Sequence, residues 1–260
     1  MFKNILFALV IVSLTFPASF GQSRSADRAA TIPVSSKTTF TVGERLSYDV
    51  SWRDFIVAGE LTLETKDRRS IEGVDAYHVS ATAQSVGVVS AFVFKLNDTY
   101  ESFINAQTLQ PFRADKRSRR GKKREQSSVT IDQQNRTARA SNGQTIEIPP
   151  DTYDVVGLLY AIRAMELAPG KSRTFNVLED GRVYQIRVDV EVREKVTTRA
   201  GSYDTVRVST KTLGGRESNI YNLKMFITAD ARRMPVLITA EPKWGEVRVE
   251  LTSATGTAQK

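Results

Sequence analysis

The chain has 260 residues, with 37 Lys or Arg against 29 Asp or Glu, a single His and no Cys. This length suits one or two domains with a sizeable buried core. The absence of Cys excludes a disulfide framework, thiol catalysis, acylation at Cys and the usual structural zinc ligands. The net charge of +8 is local: residues 113–124 hold eight bases and one acid, Lys3 supplies one more charge, and the rest sums to zero.

In chain order, residues 1–21 read as a removed secretory signal. Lys3 is the basic start, ILFALVIVSLTF (5–16) is an apolar run, and Ser19-Phe20-Gly21 puts small residues where a signal peptidase cuts. The run is shorter than the ~20 residues that span a bilayer. An uncleaved N-terminal anchor is the alternative. A periplasmic or secreted location is expected. Residues 22–38 are small and polar without period, which predicts a flexible leader. Residues 39–254 are expected to form one β-rich domain.

Leu46, Tyr48, Val50 and Trp52 alternate with polar residues, the period of a half-buried strand. In 55–65, Ile56 and Ala58 then Leu61 and Leu63 flank Gly59, which suggests a bulge and a change of inward face. Tyr77, Val79, Ala81 and Ala83 alternate again. VGVVSAFVF (86–94) is apolar without period, and either a short helix or a buried strand fits. A helix is expected near 151–166, with Asp151 at the N-cap, Asp154 three residues on, and Val155, Leu158, Leu159, Ile162 and Met165 as its apolar stripe. Strand patterns then return to the end of the chain, separated by turn residues including Gly214-Gly215. About a dozen strands and one helix predict a curved antiparallel meander, barrel or half-barrel. The helix would cap one mouth or lie along the concave face.

These features, in this order, resemble the domain-of-unknown-function 3108 family of exported bacterial proteins. The resemblance rests on GERLSYDVSWRDFIVAGELTLE, DTYESFINAQTLQPFR, the long stretch from DVVGLLYAIRAMELAPG to GSYDTVRV, and FITADARRMPVLITAEPKWGEVRVEL, nearly all of 40–252. Its most specific marks are the helix opening at Asp154 with Leu158, Tyr160 and Arg163, and the turn Asp230-Ala231-Arg232-Arg233-Met234-Pro235. The resemblance implies a β-rich envelope protein with no assigned activity, and it carries over no catalytic residues.

His78 lies on the polar face of its strand with Ser80, Thr82 and Gln84, and is expected to be exposed and structural. It lacks the second His of a metal site or the Ser elbow of a hydrolase. Asp151 and Asp154 are expected to cap the helix rather than to form a catalytic pair. A carboxylate hydrolase remains the alternative, with Glu60, Glu101 and Asp189 open for such a role, which needs two acids about 5–9 Å apart. Asp230, Arg232 and Arg233 read as a β-turn before Pro235, with anion recognition by Arg232 and Arg233 as the functional alternative. Arg163, beside the apolar stripe, is expected either to pair with an acid at the sheet rim or to bind ligand. Tyr48, Trp52, Phe55, Phe92, Phe94, Phe103 and Trp244 are assigned mostly to the interior, filled or hollow.

The basic run leaves neither strand face anything apolar past Ala114. It is expected to project as a hairpin tip turning near Gly121. Either its bases merely blunt its edges, or Lys116, Arg117, Arg119, Arg120, Lys122, Lys123 and Arg124 contact an anionic surface. Export makes that surface lipid phosphate or an acidic partner rather than nucleic acid. No cofactor or metal is implied. The leading expectation is a non-enzymatic module binding an apolar or anionic envelope component; a scaffold pairing with other proteins is the third.

Overall fold

A computed structural model of the chain describes residues 39–52, 56–87, 90, 95–213, 223–241 and 245–257. The expected signal and leader, Gly214-Gly215, Phe55, Phe92, Phe94, Trp244 and most of the 86–94 run lie outside these residues. The strands are β1 (Arg45–Trp52), β2 (Ile56–Ile71), β3 (Val74–Ser85), β4 (Leu96–Asn105), β5 (Pro111–Arg120), β6 (Lys123–Asp132), β7 (Thr137–Ala140), β8 (Thr145–Glu147) and β9 (Thr152–Tyr153). After the helix α1 (Val155–Ala164) come β10 (Ser172–Glu179), β11 (Arg182–Thr198), β12 (Gly201–Leu213), β13 (Leu223–Thr228), β14 (Pro235–Ala240) and β15 (Val247–Thr255).

Among the described residues all fifteen strands belong to one curved sheet in the order β8-β7-β6-β5-β4-β3-β2-β1-β15-β14-β13-β12-β11-β10-β9. Apart from β8 and β9, neighbours in the chain are neighbours in the sheet, as hairpin connections require. One pairing is long-range: β1 with β15 joins the first and last strands in the middle of the sheet. The edges, β8 and β9, are consecutive in sequence and do not pair, so the sheet curls without closing. Side chains bridge the gap instead. Ile131, Ala138 and Ile148 pack with Leu178 in a small second core, and Gln133 Nε2 donates to the Thr152 carbonyl at 2.7 Å.

The register shift expected near Gly59 is present: Val50 faces Gly59, while Ser51 faces Val57. The meander departs from pure antiparallel order once. β9 and β10 are parallel, and α1 is the crossover that a parallel pair needs. This corrects the expected helix start. Thr152 and Tyr153 are buried strand residues, Asp151 stands at φ 54° before them, and Asp154 is the N-cap. Its carboxylate accepts from the Val156 and Gly157 N–H groups.

Ten residues are too few for a stable isolated helix. Val156, Leu158, Tyr160, Ala161 and Ile162 are all buried in the concavity, and each fully buried large apolar side chain contributes roughly 1.5–3 kcal/mol. Packing therefore holds α1. Gly157 shows how close that packing is. A Cβ there would stand 2.8 Å from Asp154 Oδ2 and 3.2 Å from Pro111 Cγ.

Candidate functional site

Along one side α1 does not meet the sheet. The gap is a recess of about 150 Å³ lined by Leu61, Leu63, Leu158, Leu159, Ile162 and Met225, among others. A second, polar recess of about 350 Å³ opens beside it, with Lys116, Ser127, Asp154, Glu179 and Asp180 on its walls. Tyr100, Val155, Val156 and Glu179 belong to both. The interior is thus part filled by α1 and part hollow.

The shared wall carries unusual chemistry. The Tyr100 hydroxyl is buried and has no hydrogen-bond partner among the described residues. Burial, with Glu179 and Asp98 nearby, pushes its acidity far from the accessible range. Lys116 Nζ stands 5.3 Å from the Tyr100 ring centroid. It donates to Glu179 Oε1 at 3.4 Å and to Asp180 Oδ1 at 3.0 Å. Burial pushes the Glu179 carboxyl up to about 8 although Lys116 opposes it. Burial also raises Asp154, whose carboxylate is fixed by Ser102 Oγ at 2.6 Å and by the first turn of α1.

Arg163 is fully buried at the other end of α1. Its Nη1 and Nη2 donate to Glu44 at 2.7 and 2.9 Å, Nε to the Arg233 carbonyl at 3.0 Å and Nη2 to the Arg232 carbonyl at 3.1 Å. Phe40 and Tyr160 flank it, with ring centroids 5.6 and 5.2 Å from the guanidinium carbon. Arg163 is therefore a fastening between helix, N-terminal segment and turn. The turn has the expected form. Asp230 accepts from the Arg232 N–H and from the Thr228 hydroxyl, and its other oxygen holds the Arg232 guanidinium. Arg233, at φ 48°, has no acid within 4 Å among the described residues. Burial and the nearby Arg193 lower its pKa.

The basic run does not project. β5 pairs with β4 from Phe103↔Arg113 to Leu96↔Arg120, and with β6 on its other side. The turn at Gly121 is as expected, and its N–H donates to the Lys95 carbonyl. The sequence showed no acid for these bases because most come from other strands. Asp98 takes Arg120 and Ser118, Glu101 takes Arg117, and Glu179 and Asp180 take Lys116. Arg113 pairs with Asp115 and Lys123 with Glu125. Arg119, Lys122 and Arg124 are exposed with no acid within 4 Å among the described residues, and Arg119 faces Arg124 across the strand pair.

His78 is buried, contrary to the expected exposure. Its Nε2 lies 3.0 Å from Glu101 Oε1 and its Nδ1 3.3 Å from Asp67 Oδ2, and its ring stacks on Phe103 at 4.6 Å. Phe103 is thus on the convex side, not inside. Alternation gave His78 the right face, but Lys66, Glu101 and Arg117 cover that face. Burial would raise Glu101, yet Lys66 and Arg117 outweigh it and hold Glu101 down at about 2. Glu60 bonds Gln84 and Asp189 bonds Arg187, so the three open carboxylates do not converge on the concave face. Among the described residues no group of three or more potential metal ligands occurs. Sequence reasoning missed Glu44, Tyr100 and Glu179. The signal for Tyr100 was its place in the inward alternation of β4.

The family model described as a protein of unknown function, DUF3108, matches residues 47–252. No curated protein matches the chain in sequence. Among solved structures the chain is similar to the β-barrel-like protein of domain of unknown function DUF1849 from Brucella abortus. The identity is 11%, the TM-score is 0.55, and the match covers 82% of this chain and 97% of that one. That likeness shows a shared fold. The chain is also similar to a DUF1089 family protein from Pseudomonas aeruginosa, at 9% identity and TM-score 0.43, over 78% of this chain and 92% of that one. A candidate exported protein with a YmcC-like fold from Bacteroides fragilis is 11% identical at TM-score 0.35, over 87% of this chain and all of that one. Among the described residues no helix is long and apolar enough to cross a membrane.

Proposed function

The chain belongs to the DUF3108 family of proteins of unknown function, and from that starting point we propose a non-enzymatic envelope module that holds a small apolar component between α1 and the concave sheet. In this reading residues 1–21 direct export and 39–254 act as one domain. The observation that carries it is the apolar gap beside Leu158, Leu159 and Ile162. Protein interiors close such gaps where nothing has to enter, and apolar recesses with a few polar groups are the usual form of ligand sites.

The test is native mass spectrometry of the full chain purified from its own envelope. The polypeptide is expected to carry a small non-covalent mass, and Leu159→Trp, which fills the gap from a half-buried position, to lose it. A bare polypeptide that also fails to bind benzene would end the proposal.

A second contact, with an anionic envelope surface, is favoured by Arg119, Lys122 and Arg124 alone, because the other bases have acids of their own. Each base near an anionic bilayer contributes on the order of 1 kcal/mol, so three give weak, salt-sensitive attachment. Anion recognition by the turn falls to Arg233, since Asp230 holds Arg232 and Arg163 is enclosed.

A further inference from the structure

The pocket has an apolar body and one polar end, and that end selects the ligand's head. Tyr100 is 9% exposed, lies on the wall shared by the two recesses, and has an unpaired hydroxyl. A buried hydroxyl without a partner is destabilising, and native proteins rarely leave one. Beside it, Lys116 Nζ sits 5.3 Å from the Tyr100 ring centroid and 3.0 Å from Asp180, whose side chain is exposed and free to yield its place. Tyr100 therefore stands where the polar recess meets the apolar one, with Lys116 beside it on the polar side.

A cavity of about 150 Å³ is the size that holds a benzene ring in an engineered core, so the apolar body suits about six carbons. Resting on the pocket reading above, we infer that the ligand is a short acyl chain whose carbonyl-type oxygen, in a carboxylate or an ester, accepts from the Tyr100 hydroxyl with Lys116 alongside. An ammonium head would stand against Lys116. A headless hydrocarbon would leave Tyr100 unpaired. Glu179 does not oppose a carboxylate head: burial pushes it up to about 8, so it keeps its proton at neutral pH.

Calorimetric titration of the full chain with octanoate, methyl octanoate, octylamine and benzene tests this. Octanoate and methyl octanoate are expected to bind. Tyr100→Phe should weaken both by about 2- to 12-fold, the range of one net hydrogen bond, and leave benzene unchanged. The same variant should raise the unfolding midpoint of the ligand-free protein, because the orphaned hydroxyl is gone. Lys116→Met should weaken octanoate more than its methyl ester, which separates a free acid from an ester as the source. Octylamine binding as tightly as octanoate, or unaltered octanoate affinity in Tyr100→Phe, would overturn the inference while benzene binding kept the pocket reading alive. If neither benzene nor any chain binds, the pocket reading fails and takes this inference with it.

Discussion

Arg163 and the hairpin of β5 and β6 present the same kind of charge to opposite surroundings. Arg163 is 0% exposed, and Glu44, 1% exposed, meets it with both oxygens, while two turn carbonyls take further N–H groups. The hairpin carries eight bases, five of them paired with acids and three left to solvent. The difference follows from desolvation. A charge taken out of water must have its partners supplied by the fold, whereas an exposed one is screened and gains little from a partner. α1 and the 230–235 turn, far apart in sequence, meet at this one guanidinium.

The largest expected effect breaks the buried side of this comparison. Arg163→Met leaves Glu44 buried and unpaired, and should lower unfolding stability by about 3–5 kcal/mol. Glu44→Leu should do similar harm. The double variant should recover most of the loss, because replacing a whole buried pair with apolar groups is often neutral. Urea unfolding midpoints for the three variants decide it. Additive losses in the double variant would mean that the two residues are not coupled as described.

The contrast also marks what could be read from the chain. Alternation in β1 and β3, the α1 stripe and the Gly121 turn are local patterns, and the sheet class followed from them. The start of α1 was misplaced because Asp151 and Asp154 are equally good caps in sequence, and a parallel pairing with β10, distant in the chain, decided between them. The hairpin was misjudged for a related reason. Its alternation showed no apolar face, but Asp98, Glu101 and Glu179 make its polar faces burial-compatible, and strand pairing brings them there. The site residues Tyr100 and Glu179 stand on different strands with no spacing to link them. Only curvature of the sheet makes them neighbours.

Between these extremes lie two acids that should give opposite pH slopes. Glu179 faces the pocket, and burial raises it from 4.5 to about 8. The folded state then binds its proton more tightly than the unfolded state. Its contribution is full below pH 4.5 and is lost as pH rises towards about 8. Glu101 on the convex face is held at about 2, so its contribution is present above 4.5 and is lost as pH falls towards about 2. Glu179→Gln should flatten the decline on the alkaline side, an effect on the order of 1–2 kcal/mol once partial solvent access is discounted. Glu101→Gln should remove part of the acid-side loss. Urea midpoints from pH 2 to 8 check both, and an alkaline decline that survives in Glu179→Gln would assign it to other groups.

The smallest effect on stability comes from the open side of the comparison. Changing Arg119, Lys122 and Arg124 together to Gln removes three exposed charges that no acid meets among the described residues, one of them directly opposite another. Like charges facing each other across a strand pair repel, so unfolding stability should stay within about 0.5 kcal/mol or rise slightly. Attachment to anionic phospholipid vesicles should behave differently. It should be weak but measurable for the unchanged chain at about 20 mM salt, lost at about 500 mM, and absent at both in the triple variant, because screening lengths shorten with salt. Changing Lys116, Arg117 and Arg120 instead strips one cationic partner each from Glu179, Glu101 and Asp98, and should lower stability more than vesicle binding. If that second triple lost vesicle binding equally, the paired bases would also face the surface, and the division between matched and open charge would not describe how the hairpin meets its surroundings.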